Sequence, residues 1–303
     1  MKTRGIAAIV AFALGIAGAC SDYSEAEPGS VVDGGSESGN DDLDGSADTS
    51  SASDGGGDSD SDASSGKCAA GMLPVDAITG KKYCIDVTEV TQSSYKKFIV
   101  ATGGMPAAGS QPAECAFNTT FVPPAPGCAK NTYTPDTTPD RPVTCVNWCD
   151  AVAFCSWAGK RLCGRIGGGK VPLDSLFNAS VDQWYAACSK HGSQSFPYGN
   201  TFDATKCNGA IDGGGAVANV GTFPECNGGV DVALFDMAGN VSEMQDACDR
   251  KDGGSFELDE CPTRGGGWMN DSTYLRCDNA AGYQYITRNF GSANVGFRCC
   301  ADL

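Results

Sequence analysis

The stretch Leu234-Phe235-Asp236-Met237-Ala238-Gly239-Asn240-Val241-Ser242-Glu243 passes from apolar residues through a Gly-Asn turn into a run of oxygen donors. The side chains of Asn240, Ser242 and Glu243 and the carbonyl of Val241 fall within four positions. Carboxylate, amide and carbonyl oxygens after a tight turn suit a hard cation such as Ca²⁺, so Asn240, Val241 and Glu243 are candidate calcium ligands. Thiols are the other reactive set. The chain has 17 cysteines and one histidine, His191. Zinc would need closely grouped Cys or Cys/His sets. Cys145 and Cys149 are four apart, but His191 is remote from them, which favours disulfides over metal. One histidine also cannot furnish a histidine-bound iron site, and nothing in the sequence suggests haem.

The elements that must position these residues are short. Cys84 to Thr91 is β-branched and semi-alternating, as a strand is. It leads into Tyr95, Phe98 and Ile99, whose spacing predicts an amphipathic helix ending at Gly103-Gly104. Residues 104 to 142, rich in Pro, Ala and Thr, read as a long loop stapled through Cys115 and Cys128. Pro142 to Trp148 reads as a strand meeting a helix capped by Asn147, with Trp148, Ala151, Val152 and Cys155 on one face. Ser180-Val181-Asp182-Gln183 has the spacing of a capping box before a helix that turns Trp184, Tyr185 and Cys188 inward. Thr263–Trp268, Tyr274–Cys277 and Val295–Cys300 read as short strands between Gly turns. Gly164 to Lys170 imitates a phosphate loop, but Val171 stands where the Mg²⁺-binding hydroxyl belongs, so a surface loop is expected and no nucleotide. Together these predict an α+β fold with much irregular chain.

The first 66 residues are of a different kind. Lys2 and Arg4 precede the apolar run Ile6 to Ile16, and Ala17-Gly18-Ala19 leads to Cys20, as in a signal peptide spanning 1–19. Small residues directly before a cysteine resemble a bacterial lipobox, so Cys20 is expected to be lipidated and to anchor the chain in a membrane. Residues 21–66 carry thirteen acids and no Lys or Arg. They bury too little to offset chain entropy, so 20–67 is expected to be a disordered acidic tether. Its charge accounts for most of the net −16 and the pI near 4.3. The remaining domain, 68–303, is only mildly acidic and has no basic face for nucleic acid. Its sixteen cysteines in an exported chain predict a disulfide framework.

Several stretches, in order, resemble the formylglycine-generating enzyme, or sulfatase-modifying factor, family. They are Asp86-x-x-Glu89-Val90-Thr91, Pro142 to Leu162, the Trp184-Tyr185 helix, Leu234 to Glu243, and Arg264-Gly265-Gly266-Gly267-Trp268 followed by Gly296-Phe297-Arg298-Cys299. The resemblance implies a C-type-lectin-related fold held by disulfides and calcium. It adds Asn208 as a calcium ligand, with Asp212 as its carboxylate partner, and pairs Cys188 with Cys299. It gives Glu89 a structural, hydrogen-bonding role. Arg264 and Arg298, among short strands and Gly turns, are expected on their own chemistry to tie loops to carboxylates. The family's copper-binding cysteine pair follows the R-G-G-S motif. Counting from Arg264 puts Asn270 and Leu275 there, neither of them a thiol, so copper is not expected. The expectation is a non-catalytic module at the cell envelope, outer membrane or cell surface, that binds a protein, peptide or glycan. The alternative is a formylglycine-generating oxidase using Cys277 with Cys299 or Cys300.

Overall fold

The structure is a computed structural model that describes residues 67–124, 133–209, 215–228, 233–250, 254–278 and 284–303. Cys20, the signal stretch, the acidic tether, Cys128 and Asp212 lie outside the described residues. In chain order the elements are β1 (Met72–Asp76), β2 (Lys82–Asp86), α1 (Gln92–Thr102), α2 (Trp148–Trp157), β3 (Arg161–Leu162) and α3 (Gln183–Cys188). There follow β4 (Asn227–Gly228), β5 (Leu234–Phe235), β6 (Ser242–Met244), β7 (Glu260–Arg264), β8 (Gln284–Thr287), β9 (Val295–Phe297) and β10 (Cys299–Asp302).

Two four-stranded sheets carry the fold, in the orders β1-β2-β10-β3 and β8-β7-β6-β9, with a small β4-β5 pair beside them. The first sheet is antiparallel, and the chain's last strand sits in its middle. In the second, β6 runs antiparallel to β7 and parallel to β9. The sequence Gly296-Phe297-Arg298-Cys299 therefore crosses from one sheet to the other, with Arg298 at the crossing.

Local sequence explains the helices. Thr91 caps α1 by accepting the Ser94 N–H, and Gly103 closes it in the left-handed region. Asn147 and Asp150 form a reciprocal capping box at the start of α2. Asp182, not Ser180, caps α3: its carboxylate accepts the Tyr185 N–H. Four strand expectations change. Ahead of α2, Pro142 makes only an isolated bridge to Thr91 and no strand forms. β7 ends at Arg264, because Gly265 and Gly266 turn the chain in the left-handed region. β2 stops at Asp86, because the following segment turns away so that Thr91 can cap α1. Tyr274 to Cys277 forms turns, with the Tyr274 and Leu275 N–H groups both donating to the Asp271 carbonyl.

The core has two main parts. One joins Tyr95, Phe98, Trp148, Phe154 and Phe297, with the Tyr95 and Phe154 rings stacked 5.6 Å apart. The other joins Tyr83, Ile85, Trp184, Leu234 and Met237. Disulfides staple both: Cys68–Cys84, Cys115–Cys149, Cys155–Cys299, Cys163–Cys300, Cys188–Cys277, Cys207–Cys226 and Cys248–Cys261. The expected Cys188–Cys299 pair is not formed. α2 leads directly into β3, and β3 pairs with β10, which sets Cys155 5.7 Å (Cα to Cα) from Cys299. Cys188, at the end of α3, instead meets the turn carrying Cys277.

Candidate functional site

The turn from Asp236 to Asn240 is built on backbone that ordinary residues avoid. Asp236 and Asn240 both have φ of 56°, in the left-handed region that Asp and Asn tolerate best. Gly239 has φ of 80°, and a Cβ there would come within 2.5 Å of the Asn208 carbonyl, so only glycine fits. The turn delivers Glu243 into β6, where its carboxylate is closed on both oxygens. Arg298 Nε and Nη2 donate to Oε2 and Oε1 at 2.7 and 2.5 Å, and Trp184 Nε1 donates to Oε2 at 2.8 Å. Both side chains of this ion pair are 1% exposed. Arg298 also donates to the carbonyls of Asp86 and Phe235, at 3.0 and 2.9 Å. One guanidinium thus ties the β2 end, the turn and β6 together, with the fork geometry that makes arginine suited to such a node.

Two more carboxyls are buried beside the pair. Glu89 Oε1 accepts the Asn240 amide at 3.0 Å, and Asp236 Oδ2 accepts the Gly221 N–H at 2.6 Å. Burial, reinforced by the Asp236 charge, holds the Glu89 pKa well above the carboxylate range. Burial also lifts Asp236 to about 6, against the pull of the Gly221 N–H and the Arg298 charge. Glu89 Oε2 has no donor of its own and faces the Asp236 carboxyl. Two carboxylates cannot bond without a hydrogen between them, so a protonated Glu89 donating to Asp236 satisfies both.

Most side-chain oxygens of the four candidate calcium ligands are already engaged within the protein. Asn240 Oδ1 already accepts from Asn208 Nδ2 at 3.2 Å and Ala218 N at 2.9 Å, and the Asn240 carbonyl accepts the Trp268 N–H. Glu243 is spent on Arg298 and Trp184. Asn208 Oδ1 alone is buried without a donor. Ca²⁺ takes roughly six to eight oxygens, and among the described residues no three His, Cys, Asp or Glu side chains are grouped to hold a metal.

The second region lies past Arg264. Arg264 is 2% exposed, lies between the rings of Phe177 and Trp184, and donates to the carbonyls of Leu176 and Cys277. Gly267 has no room for the serine of R-G-G-S, since a Cβ would lie 2.5 Å from Asn294 Oδ1 and 2.9 Å from Ser242 N. Asn270 Oδ1 accepts from Gly267 N and Asn294 Nδ2, each at 2.8 Å. Leu275 is 3% exposed and packs on Gly209. Cys277 is buried and bonded to Cys188. Every cysteine among the described residues is in a disulfide. These donors do not fit copper: a hydrogen-bonded amide and a packed leucine stand where a soft metal needs sulfur.

The family profile of the sulfatase-modifying factor enzyme 1-like domain matches residues 31–303. The chain belongs to this family. A sulfatase-modifying factor relative from Mus musculus, named formylglycine-generating enzyme, is 25% identical over 280 residues, 77% of this chain and 69% of the mouse protein. A Bos taurus relative named inactive C-alpha-formylglycine-generating enzyme 2 is 29% identical over 178 residues, 53% of this chain and 50% of that protein. The chain spans about half the length of the bovine relatives it matches. The structure of PvdO from Pseudomonas aeruginosa shares the fold, with a TM-score of 0.50 and 20% identity over 74% of this chain and 82% of that one.

Within the family frame, the structure brings Asn208, Asn240 and Glu89 into hydrogen-bond contact and places Glu243 against Arg298. It separates Cys299 and Cys300 from Cys277, giving each a different partner. Sequence reasoning missed Asp236 as a third acid at the turn. The signal was present, since an acid directly after apolar β5 and three residues before a Gly-Asn turn has little solvent to reach.

Proposed function

We infer that this chain is a non-catalytic member of the sulfatase-modifying factor family, exported and held at the cell envelope through Cys20, where its domain binds a protein, peptide or glycan. The observation that carries this reading is the state of the Arg264–Cys277 segment. Asn270 and Leu275 occupy the sulfur positions, and Cys277 is sealed in a disulfide. Formylglycine-type oxidation of a substrate cysteine needs thiolates to hold Cu(I), and none stands in this segment. The reading draws support from bovine and murine relatives that are named inactive C-alpha-formylglycine-generating enzyme 2.

A binding role draws support from the surface between α1 and α2. A groove of about 430 Å³ is lined by Phe98, Ala101, Met105, Phe121, Ala153 and Trp157. Met105 and Trp157 on its rim are 63% and 44% exposed. Exposed apolar surface of this kind commonly marks interaction sites. Calcium is proposed only at Asn208 and Asn240 with the Val241 carbonyl, because Glu243 would have to abandon Arg298 to join it.

The test is incubation of the purified protein with Cu(I), oxygen and a Cys-x-Pro-x-Arg peptide. No aldehyde is the expected result, and turnover abolished by Cys277→Ser would overturn the reading. Glycan arrays and envelope-extract pull-downs then separate a binder from a purely structural protein. Fatty-acid labelling lost on Cys20→Ala tests the anchor.

A further inference from the structure

The loop that follows α1 is pinned in place, and the apolar groove beside it stays open. The loop supplies Met105, Ala107 and Phe121 to one wall, and α2 supplies Ala153 and Trp157 to the other. Cys115–Cys149 bolts the loop to α2. Asn118 Nδ2 donates to the buried Asp150 carboxyl at 2.8 Å. On the α1 side, the Tyr95 hydroxyl donates to the Phe121 carbonyl at 2.8 Å, and the Phe121 N–H donates to the Gly104 carbonyl at 2.9 Å. Gly104 has no room for a side chain, since a Cβ would come within 2.7 Å of Val122. Apolar walls that could gain by collapsing are thus held apart by a disulfide and buried hydrogen bonds. Preorganisation of this kind lowers the cost of binding.

The lining selects the occupant. Among the described residues, no carboxylate, amide or guanidinium side chain lines the groove. Its Thr102 and Ser110 hydroxyls already donate to the carbonyls of Phe98 and Ala107, each at 2.8 Å. A sugar would bring many hydroxyls to few partners, at a cost for each one desolvated. A second hollow of about 520 Å³ adjoins the groove, sharing Ala101, and carries Lys96, Lys97 and Val100 along the outer face of α1. Its one acid, Asp136, is paired with Lys96, while Lys97 has no ion-pair partner among the described residues. This face is therefore positive at one end, on a domain that is otherwise mildly acidic.

We propose that the groove is the docking site for one segment of a partner protein. That segment seats large apolar side chains between Met105, Phe121 and Trp157 and sets an acidic residue against Lys97. The inference rests on the binding role proposed above and narrows it to an apolar, acidic protein segment. α1 has 11 residues and is about 16 Å long, room for about three turns of an amphipathic helix laid along it.

The full, disulfide-intact chain reports its own occupancy. Of its four tryptophans, Trp148, Trp184 and Trp268 are buried and Trp157 is exposed, so a docked segment should move the Trp157 emission to the blue. Peptides selected on the protein from a random displayed library should carry paired large apolar residues with Asp or Glu beside them, and synthetic copies should shift the emission. Met105→Lys, at an exposed rim position, should leave the melting temperature unchanged and weaken these peptides about tenfold or more, as loss of one anchor contact does. Lys97→Glu should weaken them at low salt and less so at high salt. The proposal is overturned if no peptide is enriched, if binding survives Met105→Lys, or if Lys97→Glu makes no difference. It is also overturned if a glycan, rather than a peptide, shifts the Trp157 emission and loses that effect in Met105→Lys. Any of these results, with no aldehyde formed in the copper assay, strikes the groove and leaves the non-catalytic reading standing.

Discussion

The turn at Asp236–Glu243 and the segment Arg264–Cys277 face each other across β6 and β7, yet they follow opposite rules. In the turn, each acid has an assigned partner: Glu243 with Arg298 and Trp184, Glu89 with Asn240, and Asp236 with Gly221. In the segment, the positions where the family carries reactive sulfur hold an amide tied to its own loop and a leucine in the core. The turn is braced by buried polar contacts, while Cys277, the cysteine of the second segment, is closed in a disulfide. The lesson is that the turn positions the fold whether or not chemistry is done beside it, because its acids stabilise the crossing between two sheets.

The comparison breaks most sharply at Arg298. Arg298→Met leaves Glu243 buried without its cation and should cost ~3–5 kcal/mol, read as a lower urea midpoint at unchanged slope. A loss below about 1 kcal/mol would mean the turn is not the brace described. Adding Glu243→Gln to Arg298→Met should recover part of the loss.

The segment should respond through its disulfide alone. Cys188→Ala with Cys277→Ala should lower stability by ~2–4 kcal/mol by freeing an 89-residue separation in the unfolded chain. Peptide oxidation should be nil before and after.

The pH response sharpens the contrast from the side of the acids. Burial raises Asp150 to about 7, and Asp182 and Asp236 each to about 6, from the ordinary aspartate value of 3.8. A carboxyl whose folded pKa exceeds its unfolded one binds protons more tightly when folded. Its favourable term is complete below about pH 4 and lost as pH rises to 6–7. The melting temperature should therefore be higher at pH 5 than at pH 8. Asp236→Asn and Asp150→Asn should each flatten the profile. A melting temperature that rises from pH 5 to pH 8 would contradict the assignment.

Calcium has the smallest expected effect. With Glu243 held by Arg298, millimolar Ca²⁺ followed by chelation should move the midpoint little. A gain of several degrees on adding Ca²⁺ would show that Asn208 and Asn240 form a cation site.

Much of this was legible in the sequence, and the reasons differ by residue. Helices α1 and α2 announce themselves through Thr91, Asn147 and the 3.6-residue apolar spacing. The family motifs place Glu89, Arg264 and Arg298 in the interior before any coordinates. Disulfide pairing was not legible, because it depends on which strand lies beside β10. Proximity of Cys155 to Cys299 is a fact of sheet order, which no local signal carries. The partner of Glu243 was not legible for a related reason. An acid after a Gly-Asn turn looks like a cation ligand until Arg298, 55 residues later, is seen to fill that need. Tyr274 to Cys277 has strand-like composition, but the carbonyl of Asp271 draws two of its N–H groups into turns.

The account rests on the sulfurs of the Arg264–Cys277 region being unavailable, and a thiol count on the folded, non-reduced, full-length protein tests it most directly. Denaturation in an alkylating reagent followed by mass analysis of peptides from residues 67–303 should find Cys277 linked to Cys188 and no alkylated cysteine among the described positions. Alkylated Cys277 together with a second free cysteine nearby would contradict it.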